Sequence, residues 1–229
     1  MKRINDKKLL ESYIEKFNID DLFSENMRKH MNLVLWNKNE FICREGEELN
    51  NLYFLVEGKT KVCKNMANGK CLLICFDRPL RIIGEVEFMR SNTADCTVQT
   101  IEDTYGIEMS FQVVQSKLFN DCKFLLNMCR YLSEKLIVTS TNNSINILYS
   151  LENKLASYIY AFVEKEKDNY EFEFEGNYNE IAELLGTSYR HLNRTLNKFC
   201  DEGILEKKSK VYIIRNLKKL EMLSGDLYK

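Results

Sequence analysis

Arg190 and Arg194 stand about one helical turn apart in TSYRHLNRTLNKF, interleaved with Tyr189, His191, Asn193, Asn197 and Lys198. Each arginine can make a bidentate pair with guanine O6 and N7, and an asparagine can pair with adenine N6 and N7. Lysines nearby can hold phosphate, which gives affinity rather than sequence choice. These residue types at this spacing point to recognition of a DNA major groove. The candidate contacts are Thr187, Ser188, Tyr189, Arg190, His191, Asn193, Arg194 and Lys198, with Lys208 and Lys210 further on. Bond-making chemistry has no comparable support. The eight cysteines, at positions 43, 63, 71, 75, 96, 122, 129 and 200, form no CxxC pair, and His30 and His191 are the only histidines. Metal-ligand spacing is absent, as are GxSxG, HExxH, P-loop and GxGxxG patterns, so no enzyme, metal site or cofactor is expected. Free cysteines read as small buried hydrophobes, with redox sensing as the lesser alternative.

The elements around these residues have the grammar of a helix-turn-helix. Asn177 can cap a first helix while Glu180 reaches back from its third position, and Ile181, Leu184 and Leu185 give that helix its apolar face. Gly186 permits a tight turn, and Thr187 or Ser188 can cap the second helix. Leu192, Leu196 and Phe199 then face the core at helical spacing and leave the polar residues outside. ILEKKSKVYIIRN follows as two short strands around a Lys207-Lys208-Ser209-Lys210 tip, which reads as a wing. The plainer alternative is a helical hairpin with a solvated basic face.

Upstream, Leu9, Leu10, Tyr13, Ile14 and Phe17 predict short packing helices before residue 30. From about Asn32 to Ile107, short Val, Ile, Phe and Tyr stretches separated by Glu45-Gly46, Glu57-Gly58 and Asn68-Gly69 predict an all-β unit, with Pro79 in a connection. Periodicity leaves roll, sandwich and barrel open. The stretch from about Phe119 to Leu148 reads as one long helix. Its Leu125, Cys129, Leu132, Leu136, Thr139 and Asn143 alternate at spacings of four and three, the pattern of a dimer seam, with a helix lying on its own domain as the alternative. LENKLASYIYAFVE predicts another helix and Tyr170 to Glu175 a strand. The expected division is a sensor part over 1–118, a dimerisation helix over 119–148 and a reading domain over 149–229.

In this order the motifs FICREGEELNNLYFLVEGKTKV, RIIGEVEF, LYSLENKLASYI and IAELLGTSYRHLNRTLNKFCDEGIL resemble the CRP/FNR family of bacterial transcription regulators, over nearly all of the chain. The resemblance implies an α+β protein with an N-terminal double-stranded, jelly-roll-like β-roll, a long dimerisation helix and a C-terminal winged helix-turn-helix. It implies a homodimer on palindromic double-stranded DNA, with RNA polymerase as a further partner, and a cytoplasmic location. Tyr189, Arg190 and Arg194 fall where members place base readers, although members that read through a Glu have Arg-Glu where this chain has Tyr189-Arg190.

The same resemblance places an effector pocket at Gly84, Glu85, Val86, Glu87, Asp95, Cys96, Thr139 and Ser140. Gly84 and Glu85 match the phosphate turn of cyclic-nucleotide binders, and Val138-Thr139-Ser140 resembles their adenine-contacting Thr-Ser pair. Glu87, however, replaces the turn's second glycine, and Ala94 and Asp95 stand where Arg and Ser belong. Added carboxylates repel a phosphate and the lost arginine removes a charge-assisted bond, so the effector is expected to be something other than a cyclic nucleotide. No cysteine precedes Cys43, so members that sense through an N-terminal cysteine cluster match poorly. A cyclic-nucleotide-responsive receptor and an interaction scaffold without DNA binding are the alternative functions.

The 229 residues carry 33 basic and 34 acidic side chains, a net charge of -1 that conceals a division. Residues 187–219 hold nine basic against three acidic groups, +6, whereas residues 1–186 hold 23 against 29, -6. An acidic body joined to a basic reading face is the expected arrangement. No apolar run is long enough to span a membrane, and MKRINDKKLL has no apolar signal core.

Overall fold

Helical spacing near the start gives way from Asn32 to alternating apolar residues that pair into sheets, turns helical again past residue 110, and yields to a second set of strands from Glu164. The structure is a computed structural model describing all residues except 66–70, 91, 167–168, 175–177, 226 and 228–229, with backbone alone at Cys71, 138–139, 141–148, 164–166, Asn169 and Glu183. The chain groups into one unit of residues 1–65 and 75–138 and another of residues 66–74 and 139–229.

The first part runs β1 (Lys2–Ile4), α1 (Lys7–Lys16), two 3-10 turns, β2 (Asn32–Trp36), β3 (Phe41–Cys43), β4 (Asn51–Glu57), β5 (Thr60–Asn65), β6 (Cys71–Asp77), β7 (Arg81–Ile83), α2 (Glu87–Arg90), β8 (Thr97–Thr100) and β9 (Thr104–Ser110). A short α3 (Phe111–Val113) and a π turn lead into α4 (Cys122–Leu148). Two sheets, ordered β1-β2-β9-β4-β7 and β3-β8-β5-β6, form the roll. β4 is buried at five successive residues, Leu52 to Val56, so both of its faces are covered. Gly106 on β9 is required beneath Trp36, because a Cβ there would approach the indole to 2.7 Å. β1, which the sequence pattern did not suggest, pairs Lys2 with Leu35 and Ile4 with Leu33. KRI is too short and too charged to announce a strand, and its partner edge decides the conformation.

α4 starts at Cys122 rather than at Phe119, because Asp121 accepts from the amides of Lys123 at 2.9 Å and Phe124 at 3.2 Å and thereby caps it. Its 27 residues span about 40 Å. Phe124 and Met128 are buried, and Phe23 stacks on Phe124 at 5.7 Å while meeting Phe54 of β4 edge-on at 6.4 Å. The expected Asn68-Gly69 hairpin tip lies outside the described residues.

The second part runs α5 (Leu151–Phe162), β10 (Glu164–Glu166), β11 (Asn169–Glu173), α6 (Tyr178–Leu184), α7 (Tyr189–Asp201), β12 (Leu205–Lys208), β13 (Val211–Ile214) and α8 (Leu217–Ser224). Strands β10-β11-β13-β12 form one antiparallel sheet. α5 stops at Phe162, short of the expected Glu164, because Val163 turns extended to start β10. The strand expected over Tyr170 to Glu175 is β11, shifted to Asn169–Glu173. α8, unassigned from sequence, is capped by Asn216 and packs on α5, where Asn153 donates to the Leu223 carbonyl at 2.9 Å. Among the described residues no helix is long and apolar enough to cross a membrane.

Candidate nucleic-acid interface and effector pocket

α6 and α7 are joined by Gly186, whose φ of +66° turns the chain between them. Of the two candidate caps, Ser188 takes the role, accepting from the His191 amide at 3.3 Å. Thr187 instead lies 3.4 Å from His191 Nδ1 through its hydroxyl. Leu192, Leu196 and Phe199 are buried, as their spacing predicts, together with Thr195, whose hydroxyl donates to the His191 carbonyl at 3.0 Å. On the outer side, Tyr189, Arg190, Asn193, Arg194, Asn197, Lys198 and Asp201 line one shallow depression. The structure therefore brings six of the sequence-derived polar residues onto one surface and adds Asp201. The expected Asn177 cap of α6 lies outside the described residues.

Lys198 is not a free phosphate clamp. Its ammonium lies 2.6 Å from Glu152 on α5 and 3.7 Å from Glu202, and Glu202 in turn pairs with Lys219 at 2.7 Å. The Glu152 hydrogen bond holds the Lys198 pKa above its ordinary value. At the wing, β12 and β13 pair Lys208 with Val211 around Ser209 and Lys210, with Ser209 at a φ of +60°. Lys208 is exposed, 3.8 Å from Glu206, and Lys210 is exposed at the tip. Lys207 sits differently, with its ammonium 5.7 Å from the ring centres of both Tyr178 and Tyr212.

Around the expected phosphate turn the charged groups pair with one another. Gly84 has a φ of +97°, and a Cβ there would come within 2.8 Å of the Asn51 carbonyl oxygen, so glycine fits for steric reasons alone. Glu85 is buried and ion-paired to Lys135 of α4. Burial pushes the Glu85 pKa up, with Lys135 opposing that rise, and the Lys135 pKa is raised in turn by its carboxylate partner against desolvation. Glu87, where a second glycine would leave space, accepts from the Asp95 amide at 3.0 Å. Lys64 bridges Asp95 and Glu45 at 3.2 Å each. The Asp95 amide and the Lys64 and Lys135 ammonium groups are thus engaged by carboxylates of the chain itself. Val86 and Cys96 are half-buried and Ser140 is exposed, while the Thr139 side chain lies outside the described residues. Burial pushes the Cys43 thiol up to about 12 and the Cys96 thiol up to about 11, the opposite of what a reactive thiolate needs.

Sequence reasoning missed Lys135 although a signal for it was present. Phe124, Met128, Tyr131 and Lys135 recur at spacings of four, three and four and form the side of α4 turned to the roll. On that side the Tyr131 hydroxyl accepts from the Ile82 amide at 3.0 Å. Of the proposed seam, Cys129 and Leu136 are exposed, Leu125 and Leu132 are half-buried, and the Asn143 side chain lies outside the described residues. Leu126 and Ile137, at 52% and 66% exposed, add apolar surface that the seam pattern omitted.

Comparison with known proteins agrees with both halves. The cyclic nucleotide-binding domain family matches residues 33–121, and the Crp-like helix-turn-helix domain family matches residues 153–223. Regulatory protein YeiL of Escherichia coli O157:H7 is 30% identical over 207 residues, covering 90% of this chain and 92% of that protein. A CRP-like cAMP-activated global transcriptional regulator of Mycobacterium tuberculosis is 20% identical, over 85% of this chain and 88% of its own. The solved structure of a CRP-family transcriptional regulator from Thermus thermophilus superimposes with a TM-score of 0.67 at 16% identity, over 86% of this chain and 98% of that one. With both domain families matched in order and a relative aligned along nine-tenths of its length, the chain belongs to the CRP/FNR family of transcription regulators.

Proposed function

We propose that the protein is a homodimeric, sequence-specific DNA-binding regulator that lays α7 into the major groove of palindromic sites, and that its roll does not answer to cyclic nucleotides. The observation carrying this reading is α7 itself: capped at Ser188, apolar behind, and exposing Tyr189, Arg190, Arg194 and Asn197 in front. The exposed apolar side of α4 at Leu126, Cys129, Leu136 and Ile137 supports a seam with a second copy. A two-fold dimer then requires half-sites about one DNA turn apart. In this reading residues 1–118 form the sensor part, 119–148 the dimer helix and 149–229 the reading domain, acting in the cytoplasm with RNA polymerase as the downstream partner. A signal that favours one arrangement around Leu148 to Leu151 would set the spacing of the two reading helices. Selection of bound duplexes from random DNA tests the proposal, and the expected yield is an inverted repeat. An enriched pool without two-fold symmetry would sink the dimer reading, and an unenriched pool would sink sequence recognition.

Cyclic-nucleotide response is the second reading, favoured by the match over residues 33–121 and by the cAMP activation that the mycobacterial relative's name carries. Glu87 and the Glu85–Lys135 pair argue against it, since a bound phosphate would have to displace carboxylates already in place. Calorimetric titration with cAMP or cGMP is expected to give no binding heat at millimolar nucleotide. Saturable heat together with a gain in DNA affinity would establish the second reading instead.

A further inference from the structure

We infer that Tyr189 reads the 5-methyl group of a thymine in each half-site, and that Tyr178 holds it in position to do so. The inference rests on the DNA-binding reading above and deepens it to one position of the target. Tyr189 is the first residue of α7 and is 49% exposed. Its ring meets Tyr178 edge-on, at 6.2 Å between centres and 82° between planes. Tyr178 is itself fixed, its hydroxyl lying 3.0 Å from that of Tyr212, which is buried in the wing sheet. The Lys207 ammonium stands against both of these rings.

A chain of three tyrosines therefore runs from the wing to the start of the reading helix. It keeps the last ring standing in solvent rather than folded back on the protein. An aromatic side chain has few torsions to freeze, so a ring already held in place loses little entropy when it is covered. Residues at the start of a reading helix approach base edges. There the major groove offers one apolar group, the thymine methyl, and the other base features are hydrogen-bonding atoms. Tyr189 also shares an i, i+4 stripe with Asn193 and Asn197, beside the stripe of Arg190 and Arg194. The stripe headed by Tyr189 thus offers groups suited to thymine and adenine, and the neighbouring stripe offers groups suited to guanine. Adjacent Cα atoms are about 3.8 Å apart, so the thymine should lie within about one base step of the guanine paired with Arg190.

Uracil lacks only the methyl group, so a thymine-to-uracil scan of the selected duplex isolates this contact. For the unmodified protein, one thymine per half-site is expected to be sensitive, with about a fourfold loss for one substitution and about fifteenfold for both, the weight of a buried methyl-sized group. Tyr189→Ala should bind thymine and uracil duplexes alike while keeping its preference for guanine at the Arg190 position. Tyr189→Phe should keep the methyl effect. Tyr178→Ala should shrink it with the guanine preference intact, and Tyr178→Phe, which keeps the ring but loses the hydroxyl bond to Tyr212, should shrink it less. The inference is overturned by a flat scan, by a methyl effect that survives in Tyr189→Ala, or by Tyr189→Phe weakening cognate and random duplexes equally, which would make the hydroxyl a phosphate contact. In each of those cases the DNA-binding reading stands. If the unmodified protein shows no salt-dependent association with any duplex, both fall.

Discussion

Lys135→Met is expected to lower the unfolding free energy by about 3 kcal/mol at neutral pH, because it leaves the Glu85 carboxylate buried without a partner. The estimate sits at the low end of the range for broken buried pairs because the Lys135 side chain remains 35% exposed. Glu85→Gln should cost less, about 1 kcal/mol, since the orphaned ammonium can turn to water. The double change Lys135→Met with Glu85→Met should recover most of the loss, because two apolar side chains carry no desolvation penalty. The pH dependence has a definite sign. Burial already raises the pKa of Glu85, and removing Lys135 raises it further. A carboxyl with a raised folded-state pKa contributes stability that is present below its unfolded value and lost as pH rises through the folded one. Chemical denaturation of Lys135→Met across pH 4.5 to 8 should therefore show a deficit that widens with pH. A deficit independent of pH would mean that the lysine's packing, and not its charge, was lost.

On the DNA side, Arg190→Ala and Arg194→Ala should each cost about 1 to 3 kcal/mol per half-site on the preferred duplex and relax the choice of base at their own positions. In a symmetric dimer the loss counts twice, so either change should nearly abolish specific binding. Lys208→Ala should weaken cognate and random DNA by a similar factor and flatten the salt dependence by about one ion per half-site. Binding isotherms on both duplexes at several salt concentrations check the division. Equal losses on both duplexes for all three variants would show that the arginines hold phosphate rather than bases.

How far the sequence led depended on whether a feature was local. The reading helix was legible because its cap, its apolar spacing and its turn glycine all lie within about twenty residues and reinforce one another. The strands from Asn32 onward were legible for the same reason. β1 and α8 were not, since KRI gains its strand only by pairing with Leu33 and Leu35, and α8 by packing on α5. Around the phosphate turn the acidic replacements Glu87 and Asp95 could be read, but the pairing of the matching Glu85 with Lys135, 50 residues away, could not. The pairing of Lys198 was equally hidden. A lysine on an exposed face looks free until Glu152, 46 residues earlier, is found beside it.

That ion pair gives α5 a mechanical part. Glu152 lies in the first turn of α5, and through Lys198 and Glu202 a chain of charges runs along one flank of the reading helix to Lys219 on α8. The reading helix is therefore not aimed on its own. Any change in the setting of α5 would be passed to α7 and α8, and Arg190 and Arg194 would keep their spacing because one helix carries both.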